Sequence, residues 1–170
     1  GETLSKLGNV FQLNTDGLLD LSNAVNHLSN NMAAKAGEIL DFTNRAAGAA
    51  TQLGLTAVEL GAVGAALIAA GVVPETAARG FNALGTRIQT DAKGVNEALQ
   101  SIGLTTKQLQ QNLAADGDAA LLDLFTRWSE LDITQQSQAL KALVGQDFSD
   151  DFAKFLQNPQ LLQKALGLAA

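Results

Sequence analysis

The chain has 170 residues, enough for one domain or two small ones, and 46% of them are hydrophobic, enough for a substantial core. It has no cysteine, which excludes disulfides, thiolate metal sites and thiol nucleophiles. The formal charge is −6, with seven acids and five bases in residues 1–90 and ten acids and six bases in residues 91–170, so neither part offers a basic nucleic-acid surface.

Aromatic residues make up only 5% and there is no Tyr, so Leu, Ala and Val must fill most of the core. An Ala-rich composition poor in β-branched residues favours helices. The opening "GETLSKLGNV" lacks the basic start and long apolar run of a signal peptide. It begins in mid-pattern without an initiator Met and reads as a fragment of a longer chain. From there the pattern predicts an all-α fold of nine to eleven short helices. The spans are 2–12, 16–31, 33–53, 56–71, 74–90, 94–102, 105–115, 118–131, 134–144, 148–157 and 159–167, some of them fusing. Short connections imply antiparallel hairpins. No run alternates with period two over a strand's length.

Four apolar stripes carry this reading. Leu18, Leu21, Val25 and Leu28 make the first, and Ala77, Phe81, Leu84 and Ile88 the second. Leu121, Leu124, Phe125, Trp128 and Leu131 make the third, and Phe148, Phe152, Phe155 and Leu156 the fourth. Each lies on one helix face and must be buried against a neighbour. Trp128 reads as a core residue whose indole N–H reaches water or a carbonyl at the edge.

The punctuation is consistent with the stripes. "TAVE" (Thr56 to Glu59) and "TTKQ" (Thr105 to Gln108) have capping-box spacing. Pro74 and Pro159 suit first helical positions. Gly54, Gly71, Gly103, Gly145 and Gly167 fall where helices should stop, because glycine accepts the left-handed conformation without steric cost. "LGLTAVEL" (53–60) and "IGLTTKQL" (102–109) echo each other, and this reads as a shared way of starting a helix rather than a duplicated domain. The polar "QTDAKG" segment (Gln89 to Gly94) is a candidate hinge between two helical subdomains, residues 1–90 and 91–170.

The most unusual stretch is "ELGAVGAALIAAGVVPE", which holds no charge between Glu59 and Glu75. Its segment 60–74 would rise only ~22 Å as a helix, short of the ~30 Å hydrocarbon core of a bilayer. Pro74 would begin a new helix rather than continue this one. Gly61, Gly64, Ala65 and Gly71 would let a neighbouring backbone approach closely, while Leu60, Val63, Leu67, Ile68 and Val72 supply bulk. The segment therefore reads as a central core helix. The alternative is a helix buried in one state and offered to lipid or a partner in another. Its candidate contact residues are Leu60, Gly61, Gly64, Leu67, Ile68 and Gly71.

Catalytic signals are sparse. His27 is the single histidine and reads as a surface or half-buried helix residue. "DGDAALLD" (Asp116 to Asp123) begins like a metal loop, but it lacks a third acidic ligand and the loop glycine, and Arg127 occupies the position needing a bidentate Glu. These acids, like those of "QDFSDD" (Gln146 to Asp151), fit the first turn of a helix, where the macrodipole favours them. No phosphate loop, nucleophile elbow, zincin or dinucleotide fingerprint occurs. No catalytic, cofactor-binding or metal residue is assigned, and an enzyme is the least supported reading. Arg79 and Arg87, two helical turns apart, read as a solvated face or as a grip for an acidic partner.

Leu21 to Ile88 resembles the core region of phage tail tape measure proteins. The likeness lies in an Ala-rich helix after the Ser29–Asn31 turn, then "GLTAVELGAVGAAL", then the helix start "GVVPETAARGFNAL". "NEALQSIGLTTKQLQQNLAADGDAALLDLFTRWSEL" and "ALKALVGQD" resemble its continuation. The resemblance implies a non-enzymatic virion component of a phage or prophage, lying inside the tail tube and, during assembly, in the host cytoplasm. It implies tail tube protein, tail assembly chaperones and other tail proteins as partners, with chain length setting tail length. It also implies exit ahead of the DNA, with some members contributing to a passage through the host envelope. A homo-oligomer and transient contact with the host membrane are further candidates; direct nucleic-acid binding is not expected. One continuous helix of this length would extend ~255 Å, but the many helix-ending glycines point to a folded helical module instead.

Overall fold

A computed structural model of the chain describes residues 2–170, and the helical periodicity resolves there into twelve helices. These are α1 (Glu2–Val10), α2 (Thr15–Asn31), α3 (Ala36–Arg45), α4 (Ala47–Leu53), α5 (Ala57–Ala69) and α6 (Pro74–Gln89). They continue as α7 (Val95–Gln100), α8 (Thr106–Ala115), α9 (Gly117–Ser129), α10 (Ile133–Leu143), α11 (Gln146–Leu156) and α12 (Gln160–Ala169). No strand occurs among the described residues.

The echoed segments are built alike. In each, a glycine with positive φ ends a helix (Gly54 at 68°, Gly103 at 82°). The next N–H then reaches back to the carbonyl five residues earlier, Leu55 to Ala50 at 2.9 Å and Leu104 to Leu99 at 3.0 Å. This Schellman turn satisfies carbonyls that the helix end leaves open. The buried Leu55 and Leu104 anchor the turns, and a capping box follows at once. Thr56 Oγ1 accepts from the Glu59 N–H at 3.1 Å, while Glu59 Oε1 accepts from the Thr56 N–H at 2.8 Å. Thr105 and Gln108 repeat the exchange at 3.1 and 3.0 Å. The turn is used again at Gly71, and also at two non-glycine residues, Gln12 (φ 55°) and Asp91 (φ 47°).

Some boundaries differ from those read in the sequence. The span 33–53 is two helices, because the fully buried Ala46 leaves helical geometry at φ −96°, ψ 9°. Asn82 of α6 holds the break open by donating its side-chain N–H to the Arg45 carbonyl at 3.0 Å. Pro159 precedes α12 instead of opening it, and Gly167 lies exposed within that helix rather than ending it. Pro74 does sit in the first turn of α6.

Packing is organised around α5. Nine of its residues are buried, from Ala57 to Leu67, and α2, α3, α4, α6, α11 and α12 all touch it. At one side Phe42 of α3 meets Phe81 of α6, ring centroids 6.0 Å apart. A second aromatic group lies further along the chain. Phe125 stacks on Trp128 at 5.6 Å and meets Phe155 edge-on at 5.0 Å. Trp128 is a core residue, as the sequence reading has it, fully buried inside this group, but its Nε1–H does not reach the expected carbonyl and has no protein acceptor. Two backbones nearly touch where the α4–α5 corner crosses the start of α9. A Cβ on Gly117 would run into the Gly54 carbonyl oxygen and lie 2.7 Å from that of Leu53.

Candidate interaction surface

The residues singled out on α5 divide by burial. Leu60, Gly61, Gly64 and Leu67 are buried, Ile68 is half-buried, and Gly71 is exposed in the turn at φ 102°. Gly64 has a defined role in packing: a Cβ there would collide with the Phe42 ring. Gly80 of α6 accommodates the Phe152 ring of α11 in the same way. Gly61 is less constrained, since its Cβ would lie 3.8 Å from Ile39 and Thr43, in ordinary contact. In the folded chain these small residues bring neighbouring helices close, and of the six residues singled out only Ile68 and Gly71 reach solvent.

Arg79 and Arg87 have different surroundings. Arg79 is exposed, its guanidinium 5.4 Å from the centre of the Phe148 ring, a cation–π arrangement that leaves its donors free. Arg87 is half-buried, and its Nε–H donates to the Ala142 carbonyl near the end of α10. That places positive charge at a helix C-terminus, where the macrodipole favours it.

Arg87 belongs to a wider pattern that the sequence does not announce. Twelve short helices leave many C-terminal carbonyls without intrahelical partners. Side chains from neighbouring elements supply donors to them. Gln89 donates to the Gln52 carbonyl at 2.6 Å, Gln110 to that of Ile88 at 2.9 Å, and Arg127 to that of Ile102 at 2.9 Å. The buried Gln136 donates to both Ser129 and Leu131, at 2.9 and 3.0 Å, and accepts from Gln157 at 3.2 Å. The only signal in the sequence is the scatter of Gln, Asn and Arg at otherwise unremarkable polar positions, which does not identify their acceptors. Another such link pins the 89–94 turn. There Thr106 Oγ1 donates to Asp91 at 2.7 Å, and the Thr106 N–H donates to Asn96 at 2.9 Å.

The acidic segments lie at helix starts. Asp116 separates α8 from α9, and the neighbouring Asp118 carboxylate, hydrogen-bonded to it, raises its pKa above the ordinary carboxylate value. Arg127 pairs with Asp123 at 2.9 Å. Asp147 is in the first turn of α11. His27 is exposed, its Nδ1 3.4 Å from the Asn31 amide nitrogen. Among the described residues no three His, Cys, Asp or Glu side chains come together in a way that could hold a metal ion.

The fold and its polar groups define an all-α packing module in which polar side chains of one helix close the ends of its neighbours. The chain matches the phage-related minor tail protein family over residues 1–145 and belongs to that family. It is thus a segment of a structural phage tail component. It is also 26% identical over 158 residues to the probable tape measure protein of Halomonas phage phiHAP-1, an alignment covering 91% of this chain and 18% of that protein. The chain therefore spans less than a fifth of that relative's length. No solved structure matches.

Proposed function

We propose that this segment is a folded module of a tape-measure-type tail protein, acting by protein–protein contact in tail assembly and length determination. Its place is inside the tail tube, after assembly in the host cytoplasm with tube protein and tail chaperones. It opens when the tail contents leave ahead of the genome. The observation that carries this reading is the family match over a chain that folds into short helices. The longest, α2, has 17 residues and so spans only ~26 Å. A module of this kind contributes far less to a ruler than the ~255 Å of one continuous helix. Arg79 and the Ile68–Gly71 end of α5 are its proposed contact points, being the parts of the sequence-derived set that reach solvent.

An in-frame deletion of the segment from its phage gene tests the role. Assembled tails should become scarce, and those that form should be shortened by much less than ~255 Å by electron microscopy. Abundant tails shortened by that full length would mark the segment as extended ruler and remove the module reading. A photo-crosslinker at Arg79 should capture another tail protein in assembled particles.

One observation favours a second reading, a membrane-active module. No single helix among the described residues is long and apolar enough to cross a bilayer, but α4 and α5 together are, bent by 113° where they join. If the pair inserts, the protein should release dye from lipid vesicles. Absence of leakage at every pH removes this reading.

A further inference from the structure

Helix α3 gives way to α4 without the local signals that mark other helix ends of this fold. Helices α2, α5, α8 and α10 each start on a side chain that accepts from their own first turn, those of Asn14, Thr56, Thr105 and Asp132. Helix α4 starts on Ala46, whose methyl group cannot cap, and the same residue ends α3 at φ −96°, outside the left-handed region. The stretch across the joint, "NRAAGAA" (Asn44 to Ala50), is mostly alanine, the strongest helix former, and holds no proline. The joint is also short of hydrogen bonds. The Ala46 N–H still donates to Phe42 in helical fashion at 2.8 Å, but the Ala49 N–H turns to Ala46 at 3.0 Å. Between them the N–H groups of Ala47 and Gly48 reach no backbone carbonyl among the described residues.

What divides the helix lies on α6. Phe81, Asn82, Gly85, Thr86 and Gln89 follow i, i+1, i+4, i+5 and i+8 and so share one face. Phe81 meets Phe42 of α3. Asn82 donates to the Arg45 carbonyl at 3.0 Å, an acceptor that an unbroken helix would give to the Ala49 N–H. Gly85 lets α4 lie close, since a Cβ there would stand 3.6 Å from the Ala49 Cα and 2.7 Å from Gln52 Oε1. Thr86 meets the Gln52 amide at 3.4 Å, and Gln89 holds the Gln52 carbonyl at 2.6 Å. This face grips α3 near its end and α4 along its length.

From these contacts we infer that residues 36–53 are one helix by their own sequence, divided only by docking on α6, and that the joint at Ala46 is a conformational switch. With α6 in place the chain breaks at Ala46. With α6 displaced, the N–H groups of Ala47, Gly48 and Ala49 return to the carbonyls of Thr43, Asn44 and Arg45. Residues 36–53 then straighten into a rod of ~27 Å. The move carries the Gly54 corner with it, and so passes a displacement of α6 on to α5, the central helix. The inference rests on packing and hydrogen bonding alone and does not depend on the proposed tail role.

A wedge on α6 tests the switch. Gly85→Leu sets a branched side chain against the Ala49 backbone, and Asn82→Ala in the same chain removes the tie to Arg45. Amide hydrogen exchange followed by NMR reads the joint residue by residue. In the parent the Ala47 and Gly48 amides should exchange freely, having no backbone acceptor. In the double variant both should slow by on the order of ten-fold. An NOE between the Thr43 Hα and the Ala47 N–H should appear with that protection, as a continuous helix requires. Exchange that stays fast at both amides overturns the inference, because α4 then either keeps its break without the tie or melts when it leaves α6. Should the double variant fail to fold, Asn82→Ala alone decides, since it adds no bulk. It should raise the protection of Ala47 and Gly48 several-fold, and unchanged or lower protection overturns the switch.

Discussion

Gly64 and Gly61 sit one helical turn apart on the same buried helix, yet the space around them differs. A methyl group at Gly64 meets the near side of the Phe42 ring, which is itself fully buried against Phe81. Overpacking of this kind costs ~1–3 kcal/mol, more than the ~1 kcal/mol by which Ala favours a helix over Gly. Gly64→Ala should therefore destabilise the protein. Gly61→Ala meets only ordinary contacts and should stabilise it by up to ~1 kcal/mol. Gly48 is an exposed residue of α4, and a methyl group there would have nothing within 4 Å, so Gly48→Ala should gain ~0.5–1 kcal/mol. Urea denaturation of the three variants checks the order. If Gly64→Ala were the most stable of them, the close seating of Phe42 would be refuted. Gly117→Ala should be the most damaging glycine change, because its obstacle is the Gly54 and Leu53 backbone rather than a side chain that can rotate.

Among the elements, the helix ends distinguish this fold more than the helix middles. Gln136 closes two carbonyls at the end of α9 and holds Gln157 beyond α11. Gln136→Leu keeps the volume and adds apolar character, yet should destabilise by ~1–3 kcal/mol because two partly buried carbonyls lose their donor. Gln138→Leu, at an exposed position of the same helix, should stay within ~0.5 kcal/mol of the parent. Removing a capping hydroxyl, Thr56→Ala or Thr105→Ala, should cost ~1 kcal/mol each by thermal or urea unfolding. These caps were legible in the sequence because their chemistry is local: Thr56 and Glu59 find each other over three residues. Gly54, Gly71, Gly103 and Gly145 were legible for the same reason, each adopting positive φ where a helix ends. The break at Ala46 was not legible, since "NRAAG" reads as unbroken helix and the group that opens it, Asn82, lies 37 residues beyond Arg45. Arg87 shows the same limit for the surface residues. Its spacing from Arg79 was visible, but its tie to Ala142, 55 residues away, depends on how α6 meets α10.

For the molecule as a whole, the two kinds of attachment predict how it yields to force. The helices from α6 to α11 are joined by directional bonds, whereas α2, α5 and α12 adhere through Leu, Ala and Val contacts. A core filled largely by Ala and Leu offers modest burial per residue, with each buried CH₂ contributing only ~0.8 kcal/mol. Pulled from its ends, the chain should therefore open in steps. The first should free residues 159–170 and lengthen the chain by roughly 40 Å, at ~3.3–3.6 Å per extended residue. Loss of α12 uncovers α5, so the second step should follow at no higher force and release the helices packed around it. The laced α6–α11 portion should hold longest. Optical-tweezer traces of the isolated chain can resolve such steps. A single rip of about 600 Å at high force would mean one rigid cooperative unit. Such a unit could not loosen helix by helix, and the proposed opening during ejection would then have no structural basis in this module.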